Sequence, residues 1–241
     1  MSTACATIAD VTSPGEAAPA VPPAEASIGE PRWPPAFALL VYMGLNIALR
    51  VWLPDTGVVR VSWLLPSIEA ALIVLLLFGD PSRLAKHTRR VHQIAVTIVV
   101  VLVLAALWAT ALLIYDLIKG TGVSNDPGEL LATGGMVWLG NNLAFALLYW
   151  LIDSGGPIAR FHNPAPVDFA FTQHMSPELA PPHWRPVFLD YLHLGFTNAT
   201  AFSPTDVMPL THRAKYTMLV QSTVALALFG LIVARAVNAF T

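Results

Sequence analysis

The sequence predicts an all-α, polytopic helical membrane protein with five transmembrane helices and one re-entrant half-helix. Hydrophobic residues make up 55% of the 241 residues and charged residues only 12%, about half the roughly 25% that soluble domains carry. A soluble fold of this size cannot cover so much apolar surface with so few charges. The apolar residues also lie in long runs, near the ~20 residues that a bilayer-crossing helix needs. The net charge of −2 argues against a nucleic-acid binder, which would carry a clustered basic excess.

The first 34 residues predict a disordered tail on the cytoplasmic side. Residues 1–34 are rich in Ala, Pro, Ser, Thr and Glu, without large apolar residues in any period. Such a segment cannot bury enough surface to offset the entropy of ordering. It also lacks the positive region and apolar core of a secretory signal. The single cysteine, Cys5, lies here, and one thiol excludes an intrachain disulfide.

Five apolar runs predict the membrane spans. Because hydrocarbon offers no water, each segment must satisfy its own backbone hydrogen bonds and is therefore expected to be helical. The runs are bounded by Pro, Gly and charged residues, which favour helix ends. They lie at residues 35–53, 61–78, 91–117, 135–152 and 216–239.

Between the fourth and last spans, the chain is too apolar for a linker and too rich in proline for a span. We expect residues 153–186 to form an irregular segment at the membrane interface, held by aromatic anchors. The half-helix and its loop follow at 187–210, where about three helical turns of apolar residues are too short to span alone. The expected aromatic anchors are Phe161, Phe169, Phe171 and Trp184.

The loop cations predict the orientation. Residues 79–92 carry four Lys or Arg side chains, whereas residues 116–134 carry one lysine against three carboxylates. Because cytoplasmic loops carry the excess of cations, 79–92 is expected inside and 116–134 outside, which places the N-terminus in the cytoplasm. Five spans leave the C-terminus outside. If 187–202 crosses as a sixth short span, the C-terminus is inside.

Polar side chains within the predicted spans are functional candidates because they are costly in hydrocarbon. Glu69 lies in the middle of the second span. Arg50 shares a helix face with Asn46 and could pair with Glu69 across two antiparallel helices. This pair is either a buried ion pair or part of a proton or ion relay.

Further polar residues favour packing roles beside functional ones. Asp190 and His193 are three residues apart on the half-helix and face together, either as a hydrogen-bonded pair or as part of an aqueous vestibule. Gly230 is either a hinge or a close helix contact. Side-chain amides that favour hydrogen bonds between helices are those of Asn141, Asn142 and Gln221.

No pattern in the chain points to a cofactor or a metal. The sequence has no phosphate-binding glycine loop, nucleophile elbow or paired catalytic carboxylates. We therefore expect a protein that is not an enzyme. An enzyme acting through Asp190 and the loop histidines is the third candidate function. Four histidines are spaced too irregularly for a zinc site: His162, His174, His183 and His193.

The C-terminal quarter resembles the pore-helix, filter and inner-helix unit of the tetrameric potassium-channel family. Phe196 and Thr197 match the end of the pore helix, and Thr200 matches the threonine before the filter. Asp206 and Pro209 match the aspartate and proline that follow the filter. The resemblance implies an inorganic ion as the transported species and a homo-tetramer in which the last helix lines the pore.

The filter itself departs from the family pattern. Ala201 replaces the filter threonine, Ser203 and Thr205 replace the two glycines, and Pro204 replaces the tyrosine. Glycines allow backbone angles that other residues avoid, whereas Pro204 has a fixed φ. We therefore expect a filter that does not select potassium. The filter-like candidates are Thr197, Asn198, Thr200, Ala201, Phe202, Ser203, Pro204, Thr205 and Asp206.

The chain from the 79–92 loop onward also resembles a widespread, uncharacterised bacterial family of integral membrane proteins. That resemblance implies a bacterial inner membrane and brings no activity. A small transporter or an accessory subunit without a pore is therefore the alternative function. The potassium-channel resemblance also conflicts with the charge count, because a potassium-type filter lies outside, whereas the cations place this loop inside.

Overall fold

The protein is mostly helical. A computed structural model describes residues 30–52, 67, 70, 71, 88–119, 127–162, 166–200 and 206–239. Most of the second predicted span, the basic loop and the tail lie outside these residues. In chain order the elements are α1 (Trp33–Trp52), α2 (Thr88–Lys119), α3 (Pro127–Ile152), α4 (Pro157–His162), β1 (Phe169–Phe171), α5 (Thr172–Met175), α6 (Phe188–Thr200), β2 (Val207–Pro209) and α7 (His212–Ala239).

Three of the described helices are long and apolar enough to cross a membrane. They contain His92–Lys119 in α2, Gly128–Gly155 around α3 and His212–Arg235 in α7. These correspond to the third, fourth and last predicted spans. The apolar part of α1 is the shorter segment Trp33–Leu49.

The predicted external loop at 116–134 is largely helical, which corrects the sequence-based boundary. Helix α2 continues to Lys119, and α3 already begins at Pro127. Proline suits the first position of a helix, because its missing N–H would be unpaired there anyway, and Glu129 in the first turn complements the helix dipole. Gly134 marked a loop in the sequence, but its missing side chain instead lets Ile232 of α7 approach closely.

Helix α3 lies at the centre of the bundle. Every residue from 140 to 151 is buried, and α1, α2, α6 and α7 all pack against this helix. A helix that is apolar on all sides needs such an enclosed position. The core around it includes Leu39, Leu102 and Leu194, each with no exposed surface.

Helices α6 and α7 both begin at the end of the bundle where α3 finishes. Phe188, at the start of α6, packs edge-on against Trp150 near the end of α3, and Phe196 packs in the same way against Trp138. Helix α6 therefore runs antiparallel to α3. Helix α7 does the same, because Ile232, near its far end, meets Gly134, near the beginning of α3.

A two-stranded antiparallel sheet closes this end of the bundle and is the one departure from an all-α fold among the described residues. Strand β1 pairs with β2, so that Phe169 lies opposite Pro209 and Phe171 opposite Val207. The expectation that both phenylalanines are membrane anchors is wrong, since they are 0% and 4% exposed. They extend the core, because Tyr149 and Tyr191 pack edge-on against Phe169.

The other two expected anchors have different outcomes. Trp184 is half-buried and packs against Phe171 and His174. The side chain of Phe161 lies outside the described residues. The last residues of the predicted tail are also part of the fold, since the Glu30 side chain is only 4% exposed.

Candidate functional site

The candidate site is the unit from α6 to the start of α7. Helix α6 has 13 residues, about 20 Å at 1.5 Å per residue. Its first turn is held by Asp190, whose carboxylate accepts a hydrogen bond from the Val187 backbone N–H at 2.7 Å. A carboxylate at this position satisfies an N–H that the helix itself leaves unpaired.

Helix α6 has one buried face and one exposed face. The buried face packs on α3 and α7. The exposed face follows the helical spacing of three or four residues and mixes apolar with polar side chains. The buried residues are Phe188, Tyr191, Leu194, Gly195, Asn198 and Ala199. The exposed residues are Leu189, His193, Phe196 and Thr200.

Behind α6, a buried network of polar side chains links it to α3 and α7. Gln221 is its centre, because its Oε1 accepts hydrogen bonds from Tyr149 Oη at 2.6 Å and from Asn198 Nδ2 at 2.8 Å. Its Nε2 donates to the Gly195 carbonyl at 3.0 Å and to Asn142 Oδ1 at 3.3 Å. These bonds join three helices through side chains that are shielded from lipid.

Asn198 therefore does not lie where the resemblance to a filter suggested. Its side chain is inside the bundle, and the residue is 2% exposed. Besides Gln221, it donates to the Met218 carbonyl of α7 at 3.0 Å. The other two filter-like residues of α6, Thr197 and Thr200, each bond the carbonyl four residues earlier in the same helix.

His193 and Asp206 form the accessible ion pair of the unit. His193 Nε2 and Asp206 Oδ2 are 3.0 Å apart, and the two side chains are 60% and 37% exposed. The Asp206 carbonyl also accepts a hydrogen bond from the Thr172 N–H at 3.2 Å. Asp190, the other carboxylate near His193, hydrogen-bonds the Val187 N–H at 2.7 Å.

Two buried carboxylates fasten the small sheet to the helices. Asp153 is fully buried and accepts hydrogen bonds from the backbone N–H of Asp168 at 2.7 Å and from Tyr191 Oη at 2.5 Å. Asp168, also fully buried, accepts bonds from Arg213 Nε at 2.6 Å and Thr211 Oγ1 at 2.5 Å. Asp153 reaches this position because the chain turns sharply directly after it, at residues 154–156.

That turn uses backbone angles that favour glycine. Ser154, Gly155 and Gly156 all have positive φ, from 53° to 93°. A Cβ atom on Gly156 would lie 2.7 Å from the ring of His92 at the start of α2. The turn therefore brings the ends of α3 and α2 together, in the place where the sequence predicts the end of a span.

The remaining predicted site residues have mixed outcomes. Asn141 Nδ2 donates to Thr110 Oγ1 of α2 at 2.6 Å. Asn46 is half-buried in α1, and Gly230 is exposed in an unbroken α7. Outside the described residues lie the pairing of Arg50 with Glu69 and the five loop residues Ala201, Phe202, Ser203, Pro204 and Thr205.

Four charged residues of the bundle end were not singled out from the sequence: Glu30, Asp153, Arg160 and Asp168. Arg160 Nη1 donates to the carbonyls of Trp150 and Asp153, at 2.8 and 3.0 Å. One signal was available for Asp153, a lone charge between a long apolar run and a glycine turn. The others have no local pattern, because their partners are distant in sequence.

The described residues contain no group of three or more His, Cys, Asp or Glu side chains placed to hold a metal ion. Comparison with protein-family models, with curated proteins and with solved structures found no match for this chain.

Proposed function

We propose that this chain is a subunit of an oligomeric membrane protein that conducts inorganic ions, with α6 as a re-entrant half-helix and residues 201–206 as its filter-like loop. One observation supports this most directly. Helices α6 and α7 begin at the same end of the bundle. Asp206, six residues beyond the end of α6, lies back beside the second turn of α6, with its Oδ2 3.0 Å from His193 Nε2. A segment that enters the bundle and comes back in this way has the layout of a pore loop.

The exposed face of α6 supports the same proposal. His193 lies in the second turn, and Thr200 lies about 18 Å from the start of the helix. Both are exposed. Polar side chains at membrane depth usually face a water-filled path or another protein surface, because lipid contact is costly. A second subunit or a shared aqueous path satisfies this face.

One loop cannot enclose a path alone, so the proposal includes assembly of several copies, four if the arrangement follows the potassium-channel family. The loops would meet at the symmetry axis, with α7 beside them. Pro204 and Thr205 stand where that family has tyrosine and glycine, so we propose a pore that does not select potassium.

The orientation follows from the cations. The bundle end that holds α6 and α7 carries Arg160, Arg185, Arg213 and Lys215 among the described residues, and the basic 79–92 segment leads into α2 at this end. Applying the positive-inside rule, we propose that this end faces the cytoplasm of a bacterial inner membrane. With five spans, the loop then enters from the opposite side to that of a potassium channel.

Ion flux into liposomes tests the function. We expect purified wild-type protein to carry cations, and Asp206→Asn to lower the flux at least tenfold, because it removes the charge while keeping an acceptor for His193. Glu178→Gln is the matched control, since Glu178 is an exposed carboxylate at the same bundle end but outside the unit. Equal silence of the wild type and Asp206→Asn with both sodium and potassium would contradict the proposal.

A second candidate, an accessory subunit without a pore, is favoured by the burial of Asn198. This filter-like residue bonds within its own chain and contributes nothing to an open path. Cysteine crosslinking separates the candidates, using Ser203→Cys in a Cys5→Ser background. Efficient links between identical chains support the channel, with Leu179→Cys as an exposed control away from the axis. Their absence supports the accessory subunit.

A further inference from the structure

Glu30 is a buried carboxylate that comes from the segment just before α1. Its side chain is 4% exposed. Trp150 Nε1, from α3, donates to its Oε2 at 2.8 Å. The backbone N–H of Phe188, the first residue of α6, donates to its Oε1. One side chain therefore joins the start of the first helix to the end of the central helix and to the start of α6.

Arg160 forms the third side of the same pocket. Its Nη2 is 3.6 Å from Glu30 Oε2, and its side chain is 4% exposed. Neither Nη2 nor Nε has a hydrogen-bond partner among the described residues. Nη1 is held by two carbonyls, and the guanidinium lies 5.0 Å from the centre of the Tyr191 ring, so the group cannot turn away from the pocket.

The pocket is thus lined by donors: an indole N–H, a helix-starting backbone N–H and a guanidinium with spare N–H groups. Burying such donors without acceptors is unfavourable, and a carboxylate offers two oxygens that accept several hydrogen bonds together. The nearby carboxylate of Asp190 is a like charge, which opposes a second anion here but is itself engaged with Val187.

We propose that Trp150, Arg160 and the start of α6 form a carboxylate-binding pocket, which Glu30 fills from within the same chain. The segment before α1 then acts as a latch that sets where α6 begins relative to α3. When Glu30 is absent, the pocket accepts a small external carboxylate. This inference does not depend on ion conduction.

Chemical rescue tests the pocket. We expect Glu30→Ala to lower the midpoint of thermal unfolding by about 5 °C, because it leaves buried donors unpaired. Sodium formate at about 100 mM should recover at least half of this loss, whereas sodium chloride at the same concentration should not. Formate should leave the wild type unchanged, because Glu30 already occupies the pocket. Glu178→Ala is the matched control and should show neither the loss nor the recovery.

An unchanged midpoint in Glu30→Ala, or equal responses to formate and chloride, would overturn the proposal. If Glu30→Ala does not fold, Glu30→Gln is read in a double-mutant cycle with Trp150→Phe, which removes the indole donor but keeps an aromatic ring. Glu30→Gln leaves one acceptor oxygen for the two donors Trp150 Nε1 and Phe188 N–H. Because Trp150→Phe removes one of these donors, we expect the two losses to be clearly non-additive. Additive losses would exclude the pocket.

Discussion

At the scale of single residues, Gln221 shows that polar groups inside the apolar core of this bundle are paired by hydrogen bonds. Its amide, on α7, makes four hydrogen bonds to groups on α3 and α6, so a single substitution leaves several buried partners unpaired. Unpaired buried groups usually cost more than the bond itself contributes.

We expect Gln221→Leu to lower the free energy of unfolding by about 2 kcal/mol, within the range for buried groups that lose their partner. Thermal or denaturant unfolding in detergent measures it. Ser222→Ala is the neighbouring control, because among the described residues Ser222 Oγ bonds only the carbonyls of Met218 and Leu219 in its own helix. Equal stability of both variants would show that the network does not stabilise the bundle.

Glu30 predicts a pH dependence at the same scale. Burial raises the pKa of Glu30 above its usual 4.5, while its hydrogen bonds with Trp150 and Phe188 and the positive charge of Arg160 partly oppose this. At pH values between 4.5, the usual pKa of this carboxyl group, and its higher pKa in the folded protein, the folded chain binds the proton more strongly than the unfolded chain. The contribution of Glu30 to stability therefore increases as the pH falls through this window.

Unfolding of the wild type and Glu30→Gln across that pH window provides the measurement. The free energy of unfolding of the wild type, relative to that of Glu30→Gln, should increase toward pH 4.5. The effects of the other carboxyl groups cancel in this comparison. A difference that stays constant with pH would mean that Glu30 has an ordinary pKa in the folded protein.

At the scale of elements, a close approach of α7 to α3 depends on Gly134. A Cβ atom there would lie 2.2 Å from Ile232 Cδ1 and 2.8 Å from its Cγ1. We expect Gly134→Ala to destabilise the protein by about 1–3 kcal/mol, the usual cost of overpacking, as measured by unfolding in detergent.

Gly135 offers a matched control one residue away. A Cβ atom on Gly135 has no neighbour within 4 Å, so Gly135→Ala should stabilise α3 by about 0.5–1 kcal/mol through helix propensity alone. Ile232→Val should relieve part of the Gly134→Ala defect. If the two alanine variants behave alike, the helices do not approach as closely as described.

The sequence could predict α2, α3 and α7 because a span is a local property: a long apolar run has one stable form in hydrocarbon. It could not predict that α3 begins at Pro127, because glycines such as Gly134 favour the end of an isolated helix. The reason for a glycine inside this helix is the close approach of Ile232, which is distant in sequence. The buried Phe169 and Phe171 were mistaken for anchors for a similar reason. Their burial in a strand depends on pairing with β2, which lies 36 residues further along the chain.

At the scale of the whole molecule, thiol labelling measures the proposed orientation of the bundle. We expect Ser203→Cys, in a Cys5→Ser background, to resist an impermeant maleimide in intact cells and to react in inverted vesicles. The basic end of the bundle, which holds α6 and α7, is then cytoplasmic. Ser124→Cys, between α2 and α3, should show the opposite pattern. Labelling of position 203 from outside would instead match the potassium-channel orientation.

Among the described residues, four helices of at least 13 residues begin at the bundle end where α3 finishes: α1 beside Glu30, α2 beside Gly156, α6 at Phe188 and α7 at Arg213. Each helix N-terminus carries about half a positive charge from its aligned peptide dipoles. Of the longer described helices, only α3 has its C-terminus at that end, so the summed dipoles favour negative charge there. They act in the same direction as the donors that bind the carboxylates of Glu30, Asp153 and Asp168, and they oppose the burial that raises the pKa of Glu30.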